Sequence, residues 1–261
     1  MAAGAYSQQT FSVSVHNETH DDYTAPDKQL AVLITGDAPA LHGIGYAAAN
    51  IPTLFVVGDS TVCDWSTDTH KQRGWAQEFS MYLKPGLAVA DYADSGDTAS
   101  SLYPKFLSRA GAGALKKGDY LFIQFGHNDQ KIASGVTNYK ANLMKYVTDA
   151  RNAGATPVLF SPVARRGYLD NTSKTPTLAD PGFNGLDQQA RDLAAAEKIA
   201  FVDLTALALK YYGTVDPSPL FYRSGEITHF SVAGATAISK LVADALKAGT
   251  TPTTSIGDFL K

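Results

Sequence analysis

The chain has little cysteine, no long hydrophobic run and no excess of positive charge. Its one cysteine, Cys63, cannot form a disulfide within the chain. No apolar run approaches the roughly 20 residues that a helix needs to cross a bilayer. Lys and Arg number 22 against 25 Asp and Glu, so the net charge is −3 and no basic tract is available for a nucleic-acid backbone. These absences argue against a disulfide-held domain, a membrane-spanning protein and a nucleic-acid-binding protein.

The remaining composition is typical of a globular protein. The 261 residues are 44% hydrophobic, which is enough for one large domain with a core. Near the N-terminus, apolar residues alternate loosely at Phe11, Val13 and Val15 and again at Leu30, Val32 and Ile34. A period of two predicts short strands, but too few for an independent core. We therefore expect a β-rich segment at 1–50 and the main domain at 51–261.

A different pattern starts after residue 51. Five short runs are almost continuously apolar, which is typical of strands covered on both faces: 54–57, 87–90, 120–125, 157–160 and 199–202. Helical spacing of apolar residues separates or follows them, most clearly at 138–153, 186–198 and 231–248. Strands that alternate with helices predict an α/β protein with a parallel sheet and helices on both sides.

Polar segments follow the predicted strands at 58–61, 91–98, 126–129 and 161–166, and another precedes the last helix at 225–230. In open parallel sheets, ligands bind beyond the carboxyl ends of the strands. Ser60 is a candidate nucleophile there, His229 a candidate general base, and Glu226 a candidate partner that orients the imidazole. Each also has a purely structural interpretation. Ser60 and His229 could cap helices, and Glu226 could be a solvated surface acid.

An ester-cleaving serine also needs donors for the developing oxyanion. The Ser60 N–H, the Gly96 N–H and the Asn128 amide form the natural set, although Gly96 could be a plain turn glycine and Asn128 a loop residue bonded to its own backbone. The Gly-x-Ser-x-Gly elbow of α/β-hydrolases is absent, because Val62 stands two residues after Ser60.

These motifs resemble the SGNH, or GDSL-type, hydrolases, and most closely the rhamnogalacturonan acetylesterases of carbohydrate esterase family 12. The resemblance covers about residues 52–248. It is carried by Val57-Gly-Asp-Ser-Thr-Val-Cys-Asp64, Gly74-Trp-Ala-Gln77, Gly118-Asp-Tyr-Leu-Phe-Ile-Gln-Phe-Gly-His-Asn-Asp-Gln-Lys131, Ala155-Thr-Pro-Val-Leu159 and Thr228-His-Phe-Ser231.

The resemblance implies a flavodoxin-like three-layer α/β/α sandwich around a central parallel five-stranded sheet. It implies Ser60 as nucleophile, His229 as base, and the Ser60 N–H, Gly96 and Asn128 as the oxyanion hole, with no metal or organic cofactor. The implied substrate is an acetylated plant cell-wall polysaccharide, usually rhamnogalacturonan. The implied location is secreted or extracytoplasmic, and a cytoplasmic one stays open because residues 1–6 lack the features of a signal peptide.

Two positions depart from the family pattern. The family's acid is usually Asp, whereas this chain has Glu226, which leaves a weakened triad or a Ser–His dyad as alternatives. The second block often ends in Gly-Arg-Ser, whereas this chain has Gly96-Asp97-Thr98. An acid at the mouth of the site would disfavour a galacturonate-containing substrate, which leaves an acetylxylan or broad-specificity acetylesterase as an alternative. The Glu226 exchange leaves a non-catalytic carbohydrate-binding relative as another.

Four further residues are predicted to bind substrate: Asp59, Trp65, His127 and Arg165. Trp65 is the better candidate for stacking on a sugar, whereas Trp75 is expected in the core. Arg165 could meet a carboxylate, or it could form a solvated pair with Arg166. The oligomeric state is not predicted.

Overall fold

The computed structural model describes residues 9–14, 19–20, 23–24, 43–65, 71–111, 113–166 and 183–261. Two short strands, β1 (Thr19–His20) and β2 (Tyr23–Thr24), pair antiparallel near the N-terminus. The central sheet consists of β3 (Thr53–Gly58), β4 (Ala88–Asp91), β5 (Tyr120–Gln124), β6 (Thr156–Phe160) and β7 (Ala200–Val202). These five strands are all parallel, in the order β4-β3-β5-β6-β7. Each of the five apolar runs therefore became a strand.

Helices cover both faces of this sheet. They are α1 (Trp75–Phe79), α2 (Ala99–Ala110), α3 (Ala133–Thr137), α4 (Tyr139–Ala153), α5 (Leu186–Glu197), α6 (Leu204–Tyr212) and α7 (Val232–Ala248). Because successive side chains of a strand point to opposite faces, Leu54 and Val56 join the core under α1, α6 and α7. Phe55 and Val57 join the second core under α2, α4 and α5. The predicted flavodoxin-like three-layer α/β/α sandwich is confirmed.

The strand order changes direction at β3, which lies between β4 and β5 although it precedes both in sequence. Such a switch point opens a crevice at the carboxyl edge of a parallel sheet. The segments that follow β3, β4 and β5 meet there. They are the segments that contain Ser60, Gly96 and Asn128.

The N-terminal segment differs from the alternation seen in the sequence. Residues 9–14 form no strand, and the Phe11 and Val13 side chains are 68% and 48% exposed, so no sheet face covers them within the described ranges. Val15, Leu30, Val32 and Ile34 lie outside the described residues. The division at residues 50 and 51 stays a prediction. None of the helices in the described part of the chain combines the length and hydropathy that crossing a membrane requires.

Gly58 ends β3 where the chain turns toward Ser60. A Cβ atom at this position would lie 2.6 Å from Val62 Cγ2 and 2.8 Å from the Gln124 carbonyl oxygen on β5. The backbone oxygen cannot move without disturbing the sheet. We expect Gly58→Ala to cost about 1–3 kcal/mol, lowering the Tm by roughly 2–12 °C in a calorimetric scan. Gly45→Ala is the matched control, because nothing lies within 4 Å of its added Cβ. Equal Tm values for the two variants would contradict this packing.

Candidate active site

The structure brings Ser60 and His229 together although 169 positions separate them in the sequence. Ser60 lies in a tight turn after β3, where the Val62 and Cys63 N–H groups donate to the Asp59 carbonyl at 2.9 and 3.1 Å. His229 lies just before α7, and its carbonyl accepts from the Tyr222 N–H. Ser60 Oγ is 2.9 Å from His229 Nε2. This is the distance that proton transfer from a hydroxyl to an imidazole requires.

Glu226 closes the turn that presents His229. Its Oε1 atom accepts from the N–H groups of Ile227, Thr228 and His229 at 3.1, 2.9 and 3.2 Å. The same oxygen lies 3.4 Å from His229 Nδ1. The carboxylate therefore both shapes the loop and faces the far side of the ring, so the longer side chain reaches the imidazole.

The pKa values of this pair favour a neutral imidazole beside a carboxylate. Burial raises the pKa of Glu226, but the backbone N–H groups of Thr228 and His229 and the charge of His229 outweigh it and lower the pKa below its usual value. Burial lowers the pKa of His229, and the charges of Glu226 and Asp59 only partly oppose this. With a proton on Nδ1 facing Glu226, Nε2 can accept the proton of Ser60.

Asn128 follows β5 and is held in one orientation. Its Nδ2 donates to the Asp97 carbonyl at 3.0 Å, and its Oδ1 accepts from Lys131 Nζ at 2.7 Å. Because an ammonium only donates and a carbonyl only accepts, this network permits one orientation of the amide. The second hydrogen of Nδ2 has no partner among the described residues and is available to an oxyanion.

Gly96 lies in the segment between β4 and α2, exposed and with φ +80°. A side chain at this φ would be strained, so glycine allows the loop its path. The Asn128–Asp97 hydrogen bond ties this loop to the segment that follows β5.

Asp59 does not lie where a substrate could contact it. The residue is completely buried, and its carboxylate accepts from Thr61 N (3.0 Å), Thr61 Oγ1 (2.8 Å), His127 Nδ1 (3.2 Å) and, at 3.4 Å, His127 N. Burial raises the pKa of Asp59, but the charge and hydrogen bond of His127 and the bonds from Thr61 lower it to about 2. Asp59 is an ionised group that positions the site, which differs from the substrate contact we expected.

His127 is also almost completely buried. Its ring meets the Phe183 ring edge-on at 5.0 Å, and its Nε2 atom has no hydrogen-bond partner within the described ranges. Burial lowers its pKa, which the charge of Asp59 partly opposes. The ring thus contacts Asp59 through Nδ1 and packs against the Phe183 ring.

Trp65 and Arg165 frame the Ser60–His229 pair. Trp65 is 7% exposed, donates from Nε1 to the Ser60 carbonyl at 3.0 Å and packs edge-on against His229 with ring centroids 6.0 Å apart. Arg165 donates to Thr228 Oγ1 at 3.1 Å and to the His127 carbonyl at 3.3 Å. Both side chains hold the turns of the site in place. Arg165 therefore does not form the solvated pair with Arg166 that was the alternative expectation.

Asp97 does not form an acidic mouth. Its carboxylate is 5% exposed and accepts from Ser101 Oγ at 2.7 Å and Lys105 Nζ at 2.8 Å. The premise of an exposed acid at this position is therefore not met, because the charge of Asp97 is paired and turned away from solvent. Trp75 is fully buried in the core, as expected.

Gln124 and Asp129 lie at the site in positions that the sequence motifs did not indicate. Gln124 on β5 accepts from Trp75 Nε1 and donates to Thr61 Oγ1, both at 2.9 Å, so it supports the Ser60 turn from beneath. Cys63 packs buried beside this turn. Asp129 is buried, accepts from the Ala99 N–H at 3.0 Å and has a pKa raised to about 7, chiefly by burial. The only feature of the sequence that could have pointed to Asp129 is its position directly after Asn128.

A metal site is not evident in the part of the chain that the structure describes, where His, Cys, Asp and Glu form no group of three or more that could hold an ion. The arrangement offers a hydroxyl, a neutral imidazole, a carboxylate and fixed N–H donors, which are the groups that acyl transfer uses.

Comparisons with known proteins agree with this geometry. Residues 56–237 match the model of the GDSL-like lipase/acylhydrolase family. The chain belongs to this family, which makes it a hydrolase of the SGNH type. It is 31% identical to rhamnogalacturonan acetylesterase RhgT of Bacillus subtilis over 74% of this chain and 89% of that protein. It is 30% identical to the probable rhamnogalacturonan acetylesterase YesY of the same organism, over 74% of this chain and 92% of the relative.

Solved structures show the same fold. The crystal structure of YxiM from Bacillus subtilis is 26% identical, with a TM-score of 0.60 over 76% of this chain and 57% of that chain. Axe2, an acetylxylan esterase from Geobacillus stearothermophilus, is 18% identical, with a TM-score of 0.56 over 74% and 93%. At this identity the second likeness concerns the fold alone.

We expect His229 to titrate below pH 6.5, the ordinary pKa of histidine, because burial disfavours its charged form. Glu226→Gln removes a negative charge that raises this pKa, so the variant should titrate at still lower pH. Both values are measurable by NMR titration of the imidazole carbons. Glu197→Gln, which removes an exposed acid paired with Arg151, is the control and should leave the value unchanged. A pKa that rises in Glu226→Gln would contradict the assigned contact.

Proposed function

We propose that this protein is a serine acetylesterase that removes acetyl groups from a plant cell-wall polysaccharide, with residues 51–261 as its catalytic domain. The observation that carries the proposal is the line from Ser60 Oγ through the His229 ring to Glu226, at 2.9 and 3.4 Å. The oriented Asn128 amide in the neighbouring loop adds an oxyanion donor.

The reaction follows from these positions. Ser60 Oγ attacks the acetyl carbonyl carbon while His229 Nε2 takes its proton. The resulting oxyanion is stabilised by the N–H groups of Ser60 and Gly96 and by Asn128 Nδ2. As the intermediate collapses, His229 returns the proton to the sugar oxygen, the ester C–O bond breaks and acetyl-Ser60 remains.

Water completes the cycle. His229 Nε2 removes a proton from a water molecule that attacks the acetyl-Ser60 carbonyl. A second oxyanion forms in the same place, the bond to Ser60 Oγ breaks, and His229 returns the proton to Ser60. Acetate leaves and the free hydroxyl is restored, with Glu226 holding the imidazole in one orientation throughout.

The finer proposal is a rhamnogalacturonan substrate. It is supported by the two relatives named for that activity, each about 30% identical over three quarters of this chain. The sequence argument for acetylxylan depended on Asp97, whose charge is paired. The argument for a non-catalytic relative depended on Glu226, which lies against His229. A polymeric wall substrate also supports a secreted or extracytoplasmic location.

Ser60→Ala should abolish the hydrolysis of p-nitrophenyl acetate, with a loss of kcat/KM of at least about a thousandfold, because no other described side chain lies at the His229 Nε2 atom. The unchanged fold is checked by circular dichroism. Ser80→Ala is the matched control, since Ser80 is exposed at the end of α1. Full activity of the Ser60 variant would remove the nucleophile assignment.

Asn128→Ala should lower kcat about 10²- to 10³-fold on the same ester with little change in KM, because an oxyanion donor acts mainly in the transition state. Asn152→Ala, at an exposed position on α4, controls for loss of an amide. A rise in KM at constant kcat would instead assign Asn128 to ground-state binding.

A further inference from the structure

A groove of about 600 Å³ opens beside the Asn128 end of the site, between the start of α2 and the α3–α4 segment. Its volume lies within the range of pockets that hold small molecules. Two of its lining residues belong to the loops of the site: Thr98 follows Gly96 and Asp97, and Ile132 follows Asn128 and Lys131. Asn128 Nδ2 donates to the carbonyl of Asp97, the residue directly before Thr98, so the groove begins close to the predicted oxyanion donor.

The lining has the chemistry of a sugar site. Six of its ten lining residues carry a hydroxyl or amide side chain: Thr98, Ser100, Ser101, Ser134, Asn138 and Asn142. Such groups both donate and accept hydrogen bonds, as sugar hydroxyls do. No carboxylate is among the lining residues of the described chain, and Lys145 is the one lining residue with a charge.

The charge of Lys145 is not neutralised within the described ranges. Its Nζ donates to Asn142 Oδ1 at 3.0 Å and lies 5.7 Å from the Tyr103 ring centroid, and both of these partners are uncharged. The nearest acid along α4, Asp149, instead accepts from the Tyr103 hydroxyl at 2.6 Å. Asp97, close to the other wall, is paired with Lys105. The groove therefore presents one unpaired positive charge among neutral polar groups.

We propose that this groove holds another sugar unit of the bound polysaccharide, and that Lys145 selects a unit bearing a carboxylate. The proposal rests on the proposed function, since it assigns a further subsite of the same enzyme. An ammonium held by neutral partners gains a charge-assisted hydrogen bond when a carboxylate enters, and a neutral sugar gives it no such bond.

Direct binding tests this without turnover. The probe is a rhamnogalacturonan oligosaccharide free of acetyl groups, compared by calorimetry with the methyl ester of its carboxyl groups. The unmodified chain should bind the acid form about tenfold more tightly than the ester. Lys145→Gln should remove most of that preference. Lys140→Gln is the matched control, because Lys140 is exposed on the same helix and faces Asp192 on α5.

Equal binding of acid and ester by the unmodified chain would overturn the proposal, and so would a preference that survives in Lys145→Gln or disappears equally in Lys140→Gln. A loss of preference specific to Lys145→Gln, and smaller at high salt, would support it. Because neither probe carries an acetyl ester, a chain without acetylesterase activity would overturn the proposed function and leave this binding measurement valid.

Discussion

The Asp59 carboxylate connects the two loops on which the site depends. It accepts from Thr61 on its own turn and from His127 in the loop after β5. An ionised carboxylate without partners would cost several kcal/mol in this fully buried position, so separating the loops is expensive. Ser60 stands between Asp59 and Thr61, and Asn128 directly follows His127. The spacing between nucleophile and oxyanion donor is thus set by a charge that never meets the substrate.

The same buried group influences the chemistry at a distance. The negative charge of Asp59 raises the pKa of His229, opposing the effect of burial, although the two residues share no hydrogen bond. Beneath Asp59, Thr61 Oγ1 accepts a hydrogen bond from Gln124, which in turn accepts one from the Trp75 indole in the core. The polar network is therefore continuous from the sheet to the turn, which favours a single position for Ser60.

Glu226 shows how a substitution in a motif can keep its geometry. Aspartate at this position would have one methylene less to reach His229. In this chain the longer side chain folds back, and one oxygen serves three backbone N–H groups as well as the imidazole. That sharing lowers the pKa of the carboxylate, so Glu226 holds its proton less strongly than a free acid. Its 3.4 Å separation from Nδ1 is long for a hydrogen bond in the resting site, and such contacts often tighten in the Michaelis complex.

The sequence predicted the sheet and the edge at which the polar segments meet, because both depend on local patterns. Apolar runs define parallel strands, and polar turns after them define the crevice. The contacts of Asp59 could not be predicted, since its partner His127 lies 68 residues away and becomes a neighbour only when β3 pairs with β5. Trp65 illustrates the same limit, because its burial against His229 does not follow from its spacing, whereas Trp75 lies in the core as expected. Helix α1 has only five residues, too few for a period to show.

The charge around the crevice depends on which acidic side chains form ion pairs, and not on how many acidic residues the loops contain. Asp94 and Asp97 would make the Gly96 loop acidic if they were solvated. Instead Arg109 lies 2.8 Å from Asp94 and Lys105 lies 2.8 Å from Asp97, so two acids are offset by two bases drawn from α2. What remains on this side is the ammonium of Lys131, which is bound to an amide oxygen, and that of Lys145. Although the net charge of the chain is −3, Lys131 and Lys145 are exposed beside these loops whereas Asp94 and Asp97 are buried.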